Sequence, residues 1–281
     1  MRAIVLDALG EPTTVDLAEP DGDGERVDVL ACGLCGSDVE KIGRAAPGTV
    51  LGHEVVARTA DGRRVALIHH AGCGTCSRCL AGHESTCEQF PTPTIVPGGL
   101  AERVRAHGWV ELPDGIDDAH GTYVEPLACV LRGVERIPAG RVLIVGHGFI
   151  GHLFASVLRH RGDEVFTVDA DPRRAGRVPE GPVDVAVLSG GGGVDTALDA
   201  LEPGGTLLVF ADAGSIPAQR IYRSEITVVG VRSASPPHME AAVGLLRELD
   251  VPVPTVLPLT RFDDGLALFR SRDAIKVVFA P

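Results

Sequence analysis

The stretch Val142-Leu-Ile-Val-Gly-His-Gly-Phe-Ile-Gly151 leaves little freedom to the fold around it. Four apolar residues read as a buried parallel strand, and Gly146-x-Gly148-x-x-Gly151 turns that strand into a helix. Gly146 permits the tight turn, Gly148 lets a pyrophosphate approach the backbone, and Gly151 lets helix and sheet pack closely. The N–H groups at the helix start, through Phe149 and Ile150, then face the phosphates. Asp169 ends the next apolar strand, 18 residues after Gly151, where a carboxylate accepts hydrogen bonds from an adenosine ribose. Glycines, strands, helix and acid at these distances together predict a dinucleotide-binding α/β fold.

Only 13 residues, 170–182, precede the next strand, Val183-Asp-Val-Ala-Val-Leu188. A helix-strand-helix passage cannot fit there. In the strand order 3-2-1-4-5-6, strand 3 is an edge, so its loss trims the parallel sheet without cutting its centre. Asp169 favours NAD, because a carboxylate accepts from the 2′-OH and repels a 2′-phosphate. Arg173 and Arg174 lie close behind and could offset that repulsion, which leaves NADP as the alternative.

A second signature precedes the first in the chain. Cys73-x2-Cys76-x2-Cys79-x7-Cys87 sets four thiols in a short segment that is poor in apolar residues. Four thiolates around Zn²⁺ make a closed tetrahedral site, hence a structural one, and such a lobe (about residues 70–90) is held together by its metal. His69, His70 and His83 are surplus to that site. They are expected to pack in the lobe, with His69 or His70 as candidates to line a substrate channel.

Cys32-Gly-Leu-Cys35-Gly-Ser37-Asp38 and Gly52-His53-Glu54 bring one thiolate, one imidazole and one carboxylate into reach of each other. A catalytic zinc takes three protein ligands and keeps one position open. Asp38 could accept from the other ring nitrogen of His53 and fix its tautomer. Residues 25–31 read as an alternating strand, and residues 98–104 and 109–113 as strands closing the first domain. Residues 123–133 read as a helix with Pro126 at its first position and Glu125 at its N-terminus, where a carboxylate is favoured.

The totals remove several function classes. A length of 281 residues suits two domains, and 44% hydrophobic residues indicate a globular chain. A net charge of −12 with no basic run argues against nucleic acid as a partner. With no signal peptide and no apolar stretch of roughly 18 residues, the expectation is a cytoplasmic protein without membrane contact.

In their order along the chain, Cys-Gly-Ser-Asp, Gly-His-Glu, the four-cysteine lobe, Glu125-Pro-Leu-Ala-Cys129 and the glycine fingerprint resemble the zinc-dependent medium-chain dehydrogenases/reductases, and among them the polyol, sugar and threonine dehydrogenase branch. The end of the chain, Glu225-Ile-Thr-Val-Val-Gly230 and Ile275-Lys276-Val-Val-Phe, is similar as well. The resemblance implies a GroES-like, β-rich catalytic domain (1–122 and 252–281) and a Rossmann cofactor domain (123–251). It implies two zincs per chain, one structural and one catalytic. Cys35 and His53 would hold the catalytic one, with Glu54, Glu125 or Cys129 as third ligand and Glu125 favoured over Cys129. Ser37 would take the substrate proton. Where the family often has a histidine to pass that proton on, this chain has Glu40.

The implied activity is hydride transfer between a nicotinamide cofactor and a secondary alcohol or ketone of a polyol, sugar or aminocyclitol. Two other readings stand beside it: an NADPH-dependent ketone reductase in biosynthesis, and a non-catalytic zinc- and nucleotide-binding relative. Family members pair through the nucleotide-domain sheet, so residues 226–229 are the expected edge of a homodimer or homotetramer.

Overall fold

In the computed structural model, which describes residues 1–281, regular elements form where apolar residues recur with strand or helix spacing. A hairpin of β1 (Arg2–Leu6) and β2 (Pro12–Asp16) leads into β3 (Glu25–Gly33). Val27, Val29 and Ala31 of β3 are buried while Asp28 faces solvent, as the alternation predicts. After the short helix α1 (Gly36–Lys41) come β4 (Glu54–Arg58), β5 (Arg64–Leu67), a helical turn α2 (Ser77–Leu80), β6 (Ile95–Val96), β7 (Arg103–Ala106) and β8 (Trp109–Glu111). Two helices follow, α3 (Asp118–Gly121) and α4 (Val124–Val134). Strand and helix then alternate through β9 (Arg141–Val145), α5 (Phe149–Arg161), β10 (Glu164–Val168), β11 (Val183–Leu188), α6 (Val194–Ala200), β12 (Leu201–Val209), α7 (Ala218–Ser224), β13 (Thr227–Gly230) and α8 (Pro236–Leu246). The chain closes with β14 (Thr255–Pro258), α9 (Phe262–Ser271) and β15 (Val277–Ala280). No helix is long and apolar enough to cross a membrane.

These elements form two compact units, one of residues 1–128, 234–247 and 253–281, the other of residues 129–233 and 248–252. In the first, a sheet runs β14-β15-β3-β4-β5-β8, with β7 also paired to β3 and β6 to β7. β3 is its spine. Antiparallel pairing sets Gly33 of β3 opposite Glu54 on one side and opposite Val278 of β15 on the other. Residues far apart in sequence, Glu54 and Lys276, thereby become neighbours.

The strand expected over residues 98–104 is shorter, confined to β7. Gly98 and Gly99 are instead pressed against the backbone of residues 50–52, and a Cβ on Gly98 would overlap the Val50 carbonyl. Gly99 N–H donates to Gly52 O and Leu100 N–H to Leu51 O, both at 2.8 Å. That close approach replaces regular pairing. Pro126 is also the third residue of α4 and not its first. It is tolerated there because first-turn N–H groups have no partner inside the helix.

In the second unit all five strands are parallel, in the order β10-β9-β11-β12-β13. This is the order 2-1-4-5-6 of the dinucleotide fold without strand 3. The edge left at β10 is not bare. The short connection after it folds back, with Thr167 N–H donating to Arg177 O (3.0 Å) and Gly176 N–H to Thr167 O (3.2 Å). Arg177 and Arg141 also lie over the ring of Phe166, at 4.7 and 5.3 Å. At the opposite edge β13 presents Val228 to solvent, 41% exposed.

Candidate metal centres and dinucleotide cradle

In the first unit, donor atoms of Cys35, His53 and Glu54 lie within 4.8 Å of one another. Cys35 ends the segment after β3, and His53 immediately precedes β4, so neighbouring strands deliver both. Asp38, with no exposed surface, organises them: its Oδ1 accepts from His53 Nδ1 (3.2 Å) and from Gly52 N–H (3.0 Å). With the Nδ1 proton committed to Asp38, Nε2 is the nitrogen of His53 left to bind a metal, which would displace the proton there. Burial disfavours ionised Asp38, yet His53, Lys41 and the Gly52 N–H hold its carboxyl well below the usual carboxylate range. Burial likewise disfavours a charged His53, and the Asp38 carboxylate and Cys35 sulfur overcome it, pushing the imidazole well above its ordinary range. Soft and borderline donors in a pocket that favours positive charge fit a zinc ion.

Glu54 is 1% exposed, and its Oε2 is ion-paired with Nζ of Lys276, which also donates to Leu34 O at 3.2 Å. Gly33 makes room for the pair, since a Cβ there would overlap the Glu54 carboxylate. Glu125, in the first turn of α4, and the buried Cys129 are not among the donors within 4.8 Å. Ser37 is exposed on α1 and its hydroxyl donates to Cys35 Sγ at 3.4 Å; Glu40, on the same helix, is exposed.

Sequence reasoning gave Lys276 no role in this neighbourhood and left His69 and His70 as channel candidates, without their stacking on His53. Lys276 carries no local signal beyond the resemblance of its segment, because its partner is 222 positions away. His69 stacks on the His53 ring at 4.6 Å, and His70 stacks on His69 at 3.8 Å. Burial, reinforced by the imidazoles of His53 and His70, pushes His69 down to about 2. A histidine that titrates far below its unfolded value near 6.5 binds fewer protons when folded, so its stability contribution is whole above pH 6.5 and falls as the pH drops. Replacing His69 with Phe, which keeps the ring, is therefore expected to flatten the acid side of the stability profile. Between pH 6.5 and 5 the wild type should lose about 1–2 kcal/mol more than the variant in urea unfolding. Parallel losses would show that His69 is not held neutral.

The four lobe cysteines converge as their spacing predicts, with all four sulfurs within 4.8 Å of one another. Cys76–Cys79 and Cys73–Cys79 sulfur separations are 3.5 and 4.0 Å. These bracket the edge of about 3.8 Å that follows for a tetrahedron with zinc–sulfur bonds near 2.3 Å. The lobe's own core is only Cys79, Cys87 and Phe90. Such a core is too small to hold the segment without a metal.

In the second unit the fingerprint adopts the form its glycines predict. Gly146 turns with φ +96°, Gly148 caps α5, and a Cβ on Gly151 would overlap the Gly146 carbonyl. The Asp169 carboxylate reaches back to this turn, accepting from His147 N–H (2.7 Å) and from Asp171 N–H (2.8 Å). Ser189, at the end of β11, was not anticipated: its hydroxyl donates to the Gly146 carbonyl at 2.5 Å and braces the turn. The run Ser189-Gly-Gly-Gly-Gly after an apolar strand was the available signal. A cradle at Gly148 that only a glycine leaves open fits a dinucleotide.

Residues 22–114 match the alcohol dehydrogenase GroES-like domain. Sorbitol dehydrogenase of Halalkalibacterium halodurans is 28% identical over 313 aligned positions covering 91% of each chain. The 2-dehydro-3-deoxy-L-galactonate 5-dehydrogenase of Pseudoalteromonas atlantica is 28% identical over 88% of this chain and 80% of its own. Galactitol-1-phosphate dehydrogenase from Escherichia coli shares the fold, with a TM-score of 0.81 at 23% identity and full coverage of both chains.

Proposed function

Because the chain belongs to the zinc-dependent medium-chain dehydrogenase/reductase superfamily, we propose that it oxidises a secondary alcohol of a polyol, sugar or sugar-acid substrate, or reduces the matching ketone, with a nicotinamide cofactor. The observation that carries the reading is the convergence of Cys35, His53 and Glu54 around the Asp38-held imidazole. A zinc ion in that group supplies Lewis acidity toward the substrate oxygen, and the dinucleotide supplies the hydride acceptor or donor.

The chain's own groups do the rest. Cys35 and His53 hold the metal, and Asp38 keeps the His53 lone pair turned toward it. Glu54 lies directly beside them, its charge balanced by Lys276. Glu125 remains the alternative third ligand. Ser37, hydrogen-bonded to Cys35, receives the hydroxyl proton and releases it to water or to Glu40. The four lobe cysteines hold a second, structural zinc.

Asp169 supports NAD over NADP, since a carboxylate placed there accepts from a ribose 2′-OH. A spectrophotometric screen of polyols, sugars and sugar acids with NAD and NADP tests the reading. Reduction of NAD by at least one vicinal polyol, with simple monoalcohols much slower, is the expected result. No turnover of any alcohol or ketone with either cofactor would return the chain to a binding role.

A further inference from the structure

The short connection after β10 does more than cover an edge. Arg173 is turned back onto its own loop: its Nε and Nη2 donate to Asp171 Oδ2 at 3.0 and 2.7 Å. The hydrogen bond from this guanidinium holds the Asp171 carboxyl down at about 2. Arg174 points elsewhere. Its N–H donates to Asp171 O (2.9 Å), its carbonyl accepts from His147 Nδ1 (2.7 Å), and its Nη1 lies 3.6 Å from the point where a Cβ on Gly148 would stand. Beyond the adjoining residues and the helix's own backbone, no other heavy atom comes within 4 Å of that point. The space that a second-glycine Cβ would fill is the space a pyrophosphate enters.

The backbone that carries Arg174 is held by several independent bonds. A carbonyl can only accept, so His147 carries its proton on Nδ1, and the same argument applies to His152, whose Nδ1 donates to Gly148 O at 2.9 Å. The two imidazoles lie parallel, 3.8 Å apart with 3° between their planes. Burial keeps His147 below the usual histidine range, so its ring adds no competing cation. Asp169 ties His147 N–H and Asp171 N–H together, and Gly176 and Arg177 anchor the far end of the loop on Thr167. A Cβ on Gly176 would overlap the Thr167 hydroxyl, which fixes the loop's approach to β10.

We propose that Arg174, latched in place by His147, is a clamp for the cofactor's pyrophosphate and not a reader of a 2′-phosphate. The inference rests on the dinucleotide reading above and specifies how a sheet without strand 3 holds its cofactor. A guanidinium–phosphate contact is charge-assisted and can be bidentate, so one residue recovers affinity that an opened adenosine side would lose. The clamp acts on what NADH, NADPH and ADP-ribose have in common. It therefore leaves the choice between NAD and NADP to Asp169.

Calorimetric titration with ADP-ribose, NADH and NADPH, free of any turnover, tests this on the wild-type chain and on Arg174→Gln, Arg174→Lys, Arg173→Gln and His147→Phe. Arg174→Gln should weaken all three ligands by the same factor, about 10- to 100-fold, the loss typical of one charge-assisted phosphate contact. Arg174→Lys should restore part of it. His147→Phe, which keeps the stacked ring and loses the latch, should weaken all three severalfold, and Arg173→Gln, whose guanidinium is engaged by Asp171, should weaken ADP-ribose far less than Arg174→Gln does. Arg174→Gln binding ADP-ribose as tightly as the wild type, or losing only NADPH, overturns the proposal. A wild-type chain that takes up none of the three ligands overturns the dinucleotide reading beneath it.

Discussion

Replacing Cys35 with alanine lowers kcat/KM for the best alcohol substrate by about a thousandfold or more, while NADH binding and the folding temperature stay near wild type. The size follows from the several kcal/mol a metal ion contributes to stabilising developing charge, at 1.36 kcal/mol per tenfold in rate. The selectivity follows from the position of the residue. Cys35 belongs to the three-donor group in the first unit, a group distinct from the four lobe sulfurs and outside the unit that carries the fingerprint. Steady-state kinetics beside a nicotinamide fluorescence titration separates the two effects. Turnover within a few fold of wild type would remove Cys35 from the reactive centre.

Lys276→Met should be the most destabilising single change on the metal side of the molecule. The lysine and Glu54 are 3% and 1% exposed, so losing the amine leaves a carboxylate buried without its counter-charge. Breaking such a pair from one side costs about 3–5 kcal/mol. For a chain of this size that corresponds to a fall of roughly 10 °C in Tm. Adding Glu54→Gln to the variant removes the stranded charge and should recover more than half of the loss. Calorimetry on the single and double variants decides it: a single variant melting with wild type would show that the pair carries no net stability.

The local parts of this architecture were legible because they obey local rules. The fingerprint needs glycine where a Cβ would strike backbone or phosphate, and the lobe needs four thiols at the spacing one ion imposes. The missing strand was legible as arithmetic, since residues 170–182 are too few to build it. What escaped was set by pairing across the sheet. Lys276 meets Glu54 only because β3 lies between β4 and β15, and nothing near either residue announces that order. The His53–His69–His70 stack depends on how β5 hands the chain to the lobe. Residues 98–101 depart from the strand pattern for a similar reason: Gly98 and Gly99 serve a close backbone approach to residues 50–52. Arg174 is conspicuous in the sequence for its charge, yet where its backbone stands is set by bonds to Asp171 and His147 that no local pattern announces.

The proposed chemistry turns on a reactive ion held by Cys35 and His53, separate from the ion of the lobe. Zinc per chain, measured by plasma emission on the purified wild type and on a Cys35→Ala/His53→Ala double variant, tests it most directly. Two zincs falling to one is the predicted result. One zinc in the wild type, or two retained in the double variant, would contradict it.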